Sequence, residues 1–255
     1  MTSRIHFDPS VARRFETSYF TWKRRIDRAI AFPLALLLTP FIVVLWLAVK
    51  LTSRGPGFYT QYRLGRHGRP FRIIKLRTMK VDAERGIGAV WSSPNDPRTT
   101  WVGRALRKSH LDELPQIFNV LRGEMCLVGP RPERPEIAER LAQSAPCYLD
   151  RLVVAPGVTG MAQLHLPADK SIECVFKKLG FDFTYIEKAS LGLDLLVCVA
   201  TACKPIPWIG DALCNRISAS PDFLSAAYEA GAEIQRECTR ATPRTVKPQA
   251  LAVEP

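Results

Sequence analysis

The chain has 255 residues, 47% hydrophobic and 24% charged, and its 36 Lys and Arg against 24 Asp and Glu give a formal net charge of +12. That composition supports a buried core and excludes a chain disordered throughout. The twenty prolines follow no period and no segment repeats, so collagen, solenoid and propeller architectures are excluded.

Residues 1–22 form a polar N-terminal lead-in without a motif. From Ala29 to Val49 the sequence AIAFPLALLLTPFIVVLWLAV holds twenty-one residues without a charge. As one helix it would measure about 32 Å, close to a bilayer core of about 30 Å. Lys50 and Arg54 follow in place of a small-residue cleavage site, which argues against a secretory signal. Pro40, after Thr39 near the centre, deletes a helical hydrogen bond, so a sharp bend is expected there, with the Thr39 hydroxyl available to a freed carbonyl. Basic residues flank both ends, Lys23, Arg24, Arg25 and Arg28 before and Lys50, Arg54, Arg63, Arg66, Arg69 and Arg72 after, so charge sets no direction of crossing. A helix that enters from the cytosolic face, bends at Thr39-Pro40 and returns satisfies both observations; a kinked single-pass anchor is the alternative. The net charge suits anionic headgroups and phosphate-bearing substrates. Nucleic acid is not expected, since no recognition motif accompanies the charge.

After the anchor, FYTQYRLG ending at Gly65 and FRIIKLRTM from Phe71 to Met79 read as strands or extended segments separated by turns, with Lys75 and Arg77 on one face. Residues 81–100 read as a loop. Helical spacing returns at Val102–Leu106, at Leu111–Leu121 with Pro115 near a start or bend, and at Glu133–Ala142. Val153 to Leu164 reads as a loop between short extended pieces, punctuated by Pro156, Gly157 and Gly160. Two helices follow, about Ser171–Ile186 and Leu191–Cys203, the second apolar with Asp194 its only charge and suited to a membrane interface. Ser220-Pro221-Asp222 starts a helix to about Glu237, followed by a disordered tail. Seven cysteines without a Cys-x-x-Cys pair, distant from the four histidines, read as reduced thiols without a role.

The chemistry concentrates in RALRKSHLDELPQIFNVLRGEM (Arg104 to Met125) and the Gly129-Pro130-Arg131-Pro132 that follows. Asp112 and Glu113 stand at an expected helix start, whose N–H groups and dipole would depress the Asp112 pKa. Neighbouring helical side chains diverge by about 100°, which suits the two acids to separate tasks, one attacking and the other holding a metal. Magnesium fits two carboxylates supplemented by substrate phosphates. Arg104, Arg107, Lys108 and the proline-flanked Arg131 supply phosphate-binding cations.

These segments, with KRRIDRAIAFPLALLLTP, GPGFYTQYRLGRHGRPFRIIKLRTM, PGVTGMAQ and FDFTYIEKASLGLDL, stand in the order that marks a family. The chain resembles bacterial sugar transferases of the small monotopic polyprenol-phosphate phosphoglycosyl transferase type over roughly Lys23 to Pro205. The resemblance implies an α/β fold, mostly helical with short strands: a small cytosolic catalytic module on a re-entrant membrane helix, with interfacial amphipathic helices. It divides the chain into a lead-in (1–22), the re-entrant helix with its basic flanks (23–54), the catalytic module (55–206) and a C-terminal helix and tail (207–255). The implied reaction moves a sugar 1-phosphate from a nucleotide diphosphate sugar to a polyprenol phosphate, with undecaprenyl phosphate the expected carrier, and so initiates exopolysaccharide or other glycan assembly. Asp112 is the implied nucleophile, forming a phosphoryl-aspartate, and Glu113 its magnesium-associated partner, with Asp112 a second metal ligand. Lys75, Arg107 and Arg131 are implied phosphate-binding residues, Asp182 a supporting acid, and Thr39-Pro40 the break in the membrane helix. The implied location is the bacterial inner membrane, with membrane lipids as partners and the module on the cytosolic face. A membrane-anchored scaffold that keeps the phosphate site without turnover is the alternative. Three departures bear on substrate contacts: His110 stands where Ser is usual, Met161 where Trp is usual, and LHLPADK where an Asn-Gly-Arg-like run is common.

Overall fold

The computed structural model describes residues 18–83, 96–167, 171–204, 213–214 and 221–241. The lead-in before residue 18, the middle of the 81–100 loop, the cap at Ser220 and the tail beyond residue 241 lie outside the described residues.

Helix α1 spans Ser18–Thr52, and its buried residues Phe20, Lys23, Asp27, Ala31, Ala35, Ile42 and Val49 fall three, four or seven apart, forming one stripe along its length. Ala31, Ala35 and Ile42 pack on Phe71, Ile73, Ile117, Val120 and Met125, and Val49 packs on Leu76, Val102 and Leu106. The opposite side stays bare, with Phe32 61% and Leu37 73% exposed. Among the described residues, α1 is the one helix long and apolar enough to cross a membrane.

Helicity runs through Pro33 and Pro40, so Thr39-Pro40 does not end the helix. Pro40 strips the Leu36 carbonyl of its N–H partner, yet the Thr39 hydroxyl donates at 2.6 Å to Ala35 O, one residue earlier. The expected rescue of a freed carbonyl is therefore replaced by a second bond to a neighbouring one.

Strands β1 (Phe58–Leu64) and β2 (Pro70–Leu76) form the expected pair, an antiparallel hairpin in register from Phe58↔Leu76 to Leu64↔Pro70. Helix α2 (Trp101–Lys108) begins at Thr100, whose side chain accepts from Gly103 N. A Cβ on Gly103 would lie 2.0 Å from Thr78 O, so the helix backbone touches the chain leaving β2. Gly103→Ala would gain about 1 kcal/mol in helix propensity. A backbone clash of that depth outweighs the gain, so we expect a net loss of about 3 kcal/mol, measured as a lower unfolding midpoint.

A 3-10 helix (Leu111–Gln116) leads into α3 (Ile117–Arg122), then strand β3 (Cys126–Val128), helix α4 (Pro135–Ser144) and a second 3-10 helix (Pro146–Val153). Strand β4 (Gly157–Thr159) pairs in parallel with β3. The stretch expected to continue as loop beyond it is helical, as α5 (Met161–His165). Helices α6 (Ile172–Lys188), α7 (Leu191–Cys203) and α8 (Pro221–Ala241) match the expected ones. α8 lies on α6 at Gly180, where a Cβ would meet Ala227 O at 2.1 Å.

A buried ionic cluster fastens the first half of α1. Lys23 Nζ lies 2.5 Å from Asp194 on α7 and 3.0 Å from Asp27. Asp27 accepts from Leu127 N of β3 at 3.0 Å, and the Tyr185 hydroxyl donates to Asp194 at 2.7 Å. The seven cysteines are present as thiols rather than disulfides.

Candidate active site

Asp112 and Glu113 sit in the first turn of the 3-10 helix, which starts from His110 in the left-handed region at φ 57°, ψ 15°. Such a conformation is uncommon for a residue with a Cβ. The α-helix expected from Leu111 is delayed to Ile117. In an α ladder starting at Leu111 the bond from residue 114 to His110 O would be followed by one from residue 115, a proline without an N–H, so the chain takes the tighter turn until the proline is passed.

Glu113 is clamped. Lys75 Nζ reaches its Oε1 at 2.7 Å, and Arg131 contacts the same oxygen through Nη2 at 2.8 Å and Oε2 through Nη1 at 3.3 Å. Burial alone would raise the Glu113 pKa, but the charges of Arg131 and Lys75 hold it well below the usual carboxylate range. Burial lowers the Lys75 pKa against the pull of Glu113, while Glu113 raises that of Arg131.

Asp112 is only 8% exposed and makes no hydrogen bond or ion pair among the described residues. Burial raises its pKa, with Lys75 opposing and Glu113 adding to the rise. This reverses the depressed value expected from a helix start, because the nearest cations are committed to Glu113. Two adjacent carboxylates in divergent environments suit divided roles, with Glu113 fixed between two cations and Asp112 uncommitted among the described residues.

The shifts set a pH dependence. Any reaction that needs Asp112 ionised should gain kcat/KM with rising pH through an acid limb above the ordinary aspartate value of about 3.9. Stability carries both signs. The Glu113 contribution is present above its unfolded pKa and lost as pH falls through its depressed folded value, whereas that of Asp112 is lost as pH rises toward its raised one. A pH-rate profile of the full chain checks the first statement; an acid limb at or below the ordinary value would contradict it.

The remaining expected site residues separate. Arg107 Nε donates to Thr78 Oγ1 at 2.8 Å and acts on Asp112 through its charge alone. Arg77, expected beside Lys75, instead caps α1 by donating to Ser53 O at 2.9 Å and Ser53 Oγ at 2.7 Å. Asp182 lies behind the site, 2.7 Å from the buried Arg151, whose Nη2 donates to Arg131 O at 3.0 Å. Asp182 therefore braces the Arg131 backbone. Thr39 and Pro40 lie in α1 and make no contact with the Glu113 clamp.

Sequence reasoning missed Arg151 and Asn119. Asn119 of α3 donates to Arg72 O at 2.7 Å and accepts from Ile74 N at 3.0 Å, fixing β2 where it carries Lys75. A polar residue within the apolar run IFNVL was the available signal. No cluster of three or more metal-ligating side chains exists among the described residues. The donors present are all carboxylate oxygens, and Asp112 is uncommitted, which fits a hard cation that arrives with phosphates supplying its other ligands.

A sequence model of the family described as bacterial sugar transferase matches residues 18–206. The chain is 38% identical over 179 residues to the UDP-N-acetylgalactosamine-undecaprenyl-phosphate N-acetylgalactosaminephosphotransferase of Aeromonas hydrophila, covering 70% of this chain and 42% of the relative. It is 39% identical over 184 residues to the UDP-glucose:undecaprenyl-phosphate glucose-1-phosphate transferase of Escherichia coli (strain K12), covering 71% and 39%. A Caulobacter vibrioides protein of the latter description is 39% identical over 181 residues, covering 70% and 67%. The match thus spans about two fifths of the Aeromonas and Escherichia relatives.

Proposed function

The chain belongs to the bacterial sugar transferase family, and from that premise we propose that it transfers a sugar 1-phosphate from a nucleotide diphosphate sugar to a polyprenol phosphate, with undecaprenyl phosphate, the carrier named in its relatives, as the acceptor. The observation that carries this reading is a buried Asp112 without a hydrogen-bond or ion-pair partner among the described residues, beside a Glu113 clamped by Lys75 and Arg131.

An Asp112 carboxylate oxygen attacks the phosphorus bonded to the sugar. The bond from that phosphorus to the bridging oxygen breaks, and nucleoside monophosphate leaves. A phosphate oxygen of the lipid then attacks the phosphoryl-aspartate, forming the lipid diphosphate sugar and returning Asp112 as a carboxylate. Glu113 fixes the Lys75 and Arg131 cations in the geometry in which they meet substrate phosphates, so little reorganisation is needed as charge moves. Arg107 adds positive potential at Asp112. Magnesium held by Asp112 and Glu113 would neutralise charge on the transferring group.

The bare face of α1 and the exposed stripe of Leu191, Leu195 and Val199 on α7 suit contact with lipid. Both ends of α1 are fastened to one body, Lys23 and Asp27 to α7 and β3, and Val49 to β2 and α2. This supports a helix whose two ends share one side of the membrane, as a re-entrant helix requires, and the side proposed for the module is the cytosolic face of the inner membrane. Thiol labelling of cysteines placed at each flank should reach both from the same side; labelling from opposite sides would establish a crossing.

The relatives are named for different sugars, so the sugar is left to measurement. A panel of UDP-sugars with undecaprenyl phosphate and magnesium should release uridine monophosphate for at least one member. Folded protein that releases none would support a non-catalytic scaffold. A role in starting exopolysaccharide or other glycan assembly follows from the same transfer.

A further inference from the structure

The contacts around Glu113 extend beyond the clamp and close on themselves. From Arg131 the chain passes to Pro132 and Glu133. Arg63 of β1 donates to Pro132 O at 3.4 Å and Glu133 Oε1 at 2.9 Å, and its other terminal nitrogen donates to Gln61 Oε1 at 2.9 Å. Tyr59, Gln61 and Arg63 alternate along β1 and so share one face. Tyr59 pairs directly with Lys75, which places their side chains on the same side of the hairpin, and Lys75 returns to Glu113. Tyr59 and Gln61 therefore lie on the hairpin face that carries Lys75, which is joined through Glu113 to Arg131.

Tyr59 is 39% exposed, so part of its ring remains open. The neighbouring aromatics of β1 face the other way: Phe58 packs on Trp46 at 6.3 Å between centroids, and Tyr62 lies under Arg72 at 5.1 Å. Gln61 has its amide oxygen committed to Arg63, and Arg63 is itself ion-paired to Glu133, so the Gln61 side-chain N–H groups are presented in a fixed direction. A flat apolar ring beside two oriented donors, one strand position from phosphate-binding cations, matches a heteroaromatic base with carbonyl acceptors on its edge.

We propose that Tyr59 and Gln61 form the subsite for the nucleobase of the donor, Tyr59 stacking on its face and Gln61 donating to a carbonyl on its edge. The inference rests on the reaction proposed above, since it supposes a donor whose diphosphate occupies Lys75 and Arg131. It makes β1 the element that distinguishes a nucleotide from a bare diphosphate.

The test is equilibrium titration of the full chain in lipid nanodiscs with two probes, uridine monophosphate and inorganic pyrophosphate. Tyr59→Ala should weaken uridine monophosphate about tenfold and leave pyrophosphate within about twofold, the loss expected for one base–aromatic stack. Tyr59→Phe, which keeps the ring, should restore uridine monophosphate binding, and Gln61→Ala should weaken it selectively. Unchanged uridine monophosphate binding in Tyr59→Ala and Gln61→Ala would overturn the proposal. Equal losses for both probes would also overturn it, by showing that β1 merely supports the cations. Selective losses in the variants of a chain whose wild type turns over no UDP-sugar would keep the subsite and defeat the transferase reading.

Discussion

Asp112→Asn is expected to abolish transfer, lowering kcat by a factor on the order of 10⁴ or more, while the protein stays folded and gains stability at neutral pH. The size follows from removing a nucleophile rather than a binding contact: an amide oxygen neither attacks phosphorus effectively nor leaves as a carboxylate. The sign of the stability change follows from the site. Asp112 is buried, and burial raises its pKa, so its charged form is less favourable folded than unfolded, and a neutral isostere removes that penalty. Lost activity with an unchanged or raised unfolding midpoint separates loss of chemistry from loss of fold. Near-normal activity in this variant would reject Asp112 as nucleophile.

Lys23→Met is expected to destabilise the fold by about 3–5 kcal/mol, the cost of removing one partner from a buried ionic cluster. Methionine keeps most of the side-chain volume, so packing changes little. What remains are the carboxylates of Asp27 and Asp194, with side chains only 7% and 9% exposed, facing each other without their cation. In a chain of this size that loss corresponds to a fall in unfolding midpoint of roughly 10 °C. Adding Asp194→Asn to Lys23→Met should recover part of the loss by removing one orphaned charge. An effect below about 1 kcal/mol would show that water reaches the cluster and screens it. Activity should fall as well, because Asp27 holds β3, and β3 runs into Gly129-Pro130-Arg131.

What the sequence discloses and what it conceals divide along physical lines. Long periodic elements are legible: α6, α7 and α8 follow from spacing, and the hairpin follows from two β-rich runs flanked by turns. Asp112 and Glu113 are legible as a pair, and Arg131 as a constrained cation. The partition between the two acids is not, because it depends on which carboxylate receives Lys75 and Arg131, residues far apart in the chain. Arg77 leaves the face of Lys75 since the strand ends at Leu76, and alternation no longer governs its direction. β3 and β4, three residues each, are too short to announce themselves, and Met161–His165 turns helical directly after Gly160. Asp182 was recognisable only as an acid in a motif; its bracing role needs the buried Arg151 that stands between it and Arg131.

The most direct measurement is capture of the covalent enzyme. The full chain is incubated with a UDP-sugar that it turns over, magnesium and no lipid acceptor, then digested and mapped by mass spectrometry. A sugar phosphate on the peptide containing Asp112, lost on addition of undecaprenyl phosphate, is the predicted result. Donor consumed at the normal rate by Asp112→Asn, with no modified peptide in either protein, would contradict the account.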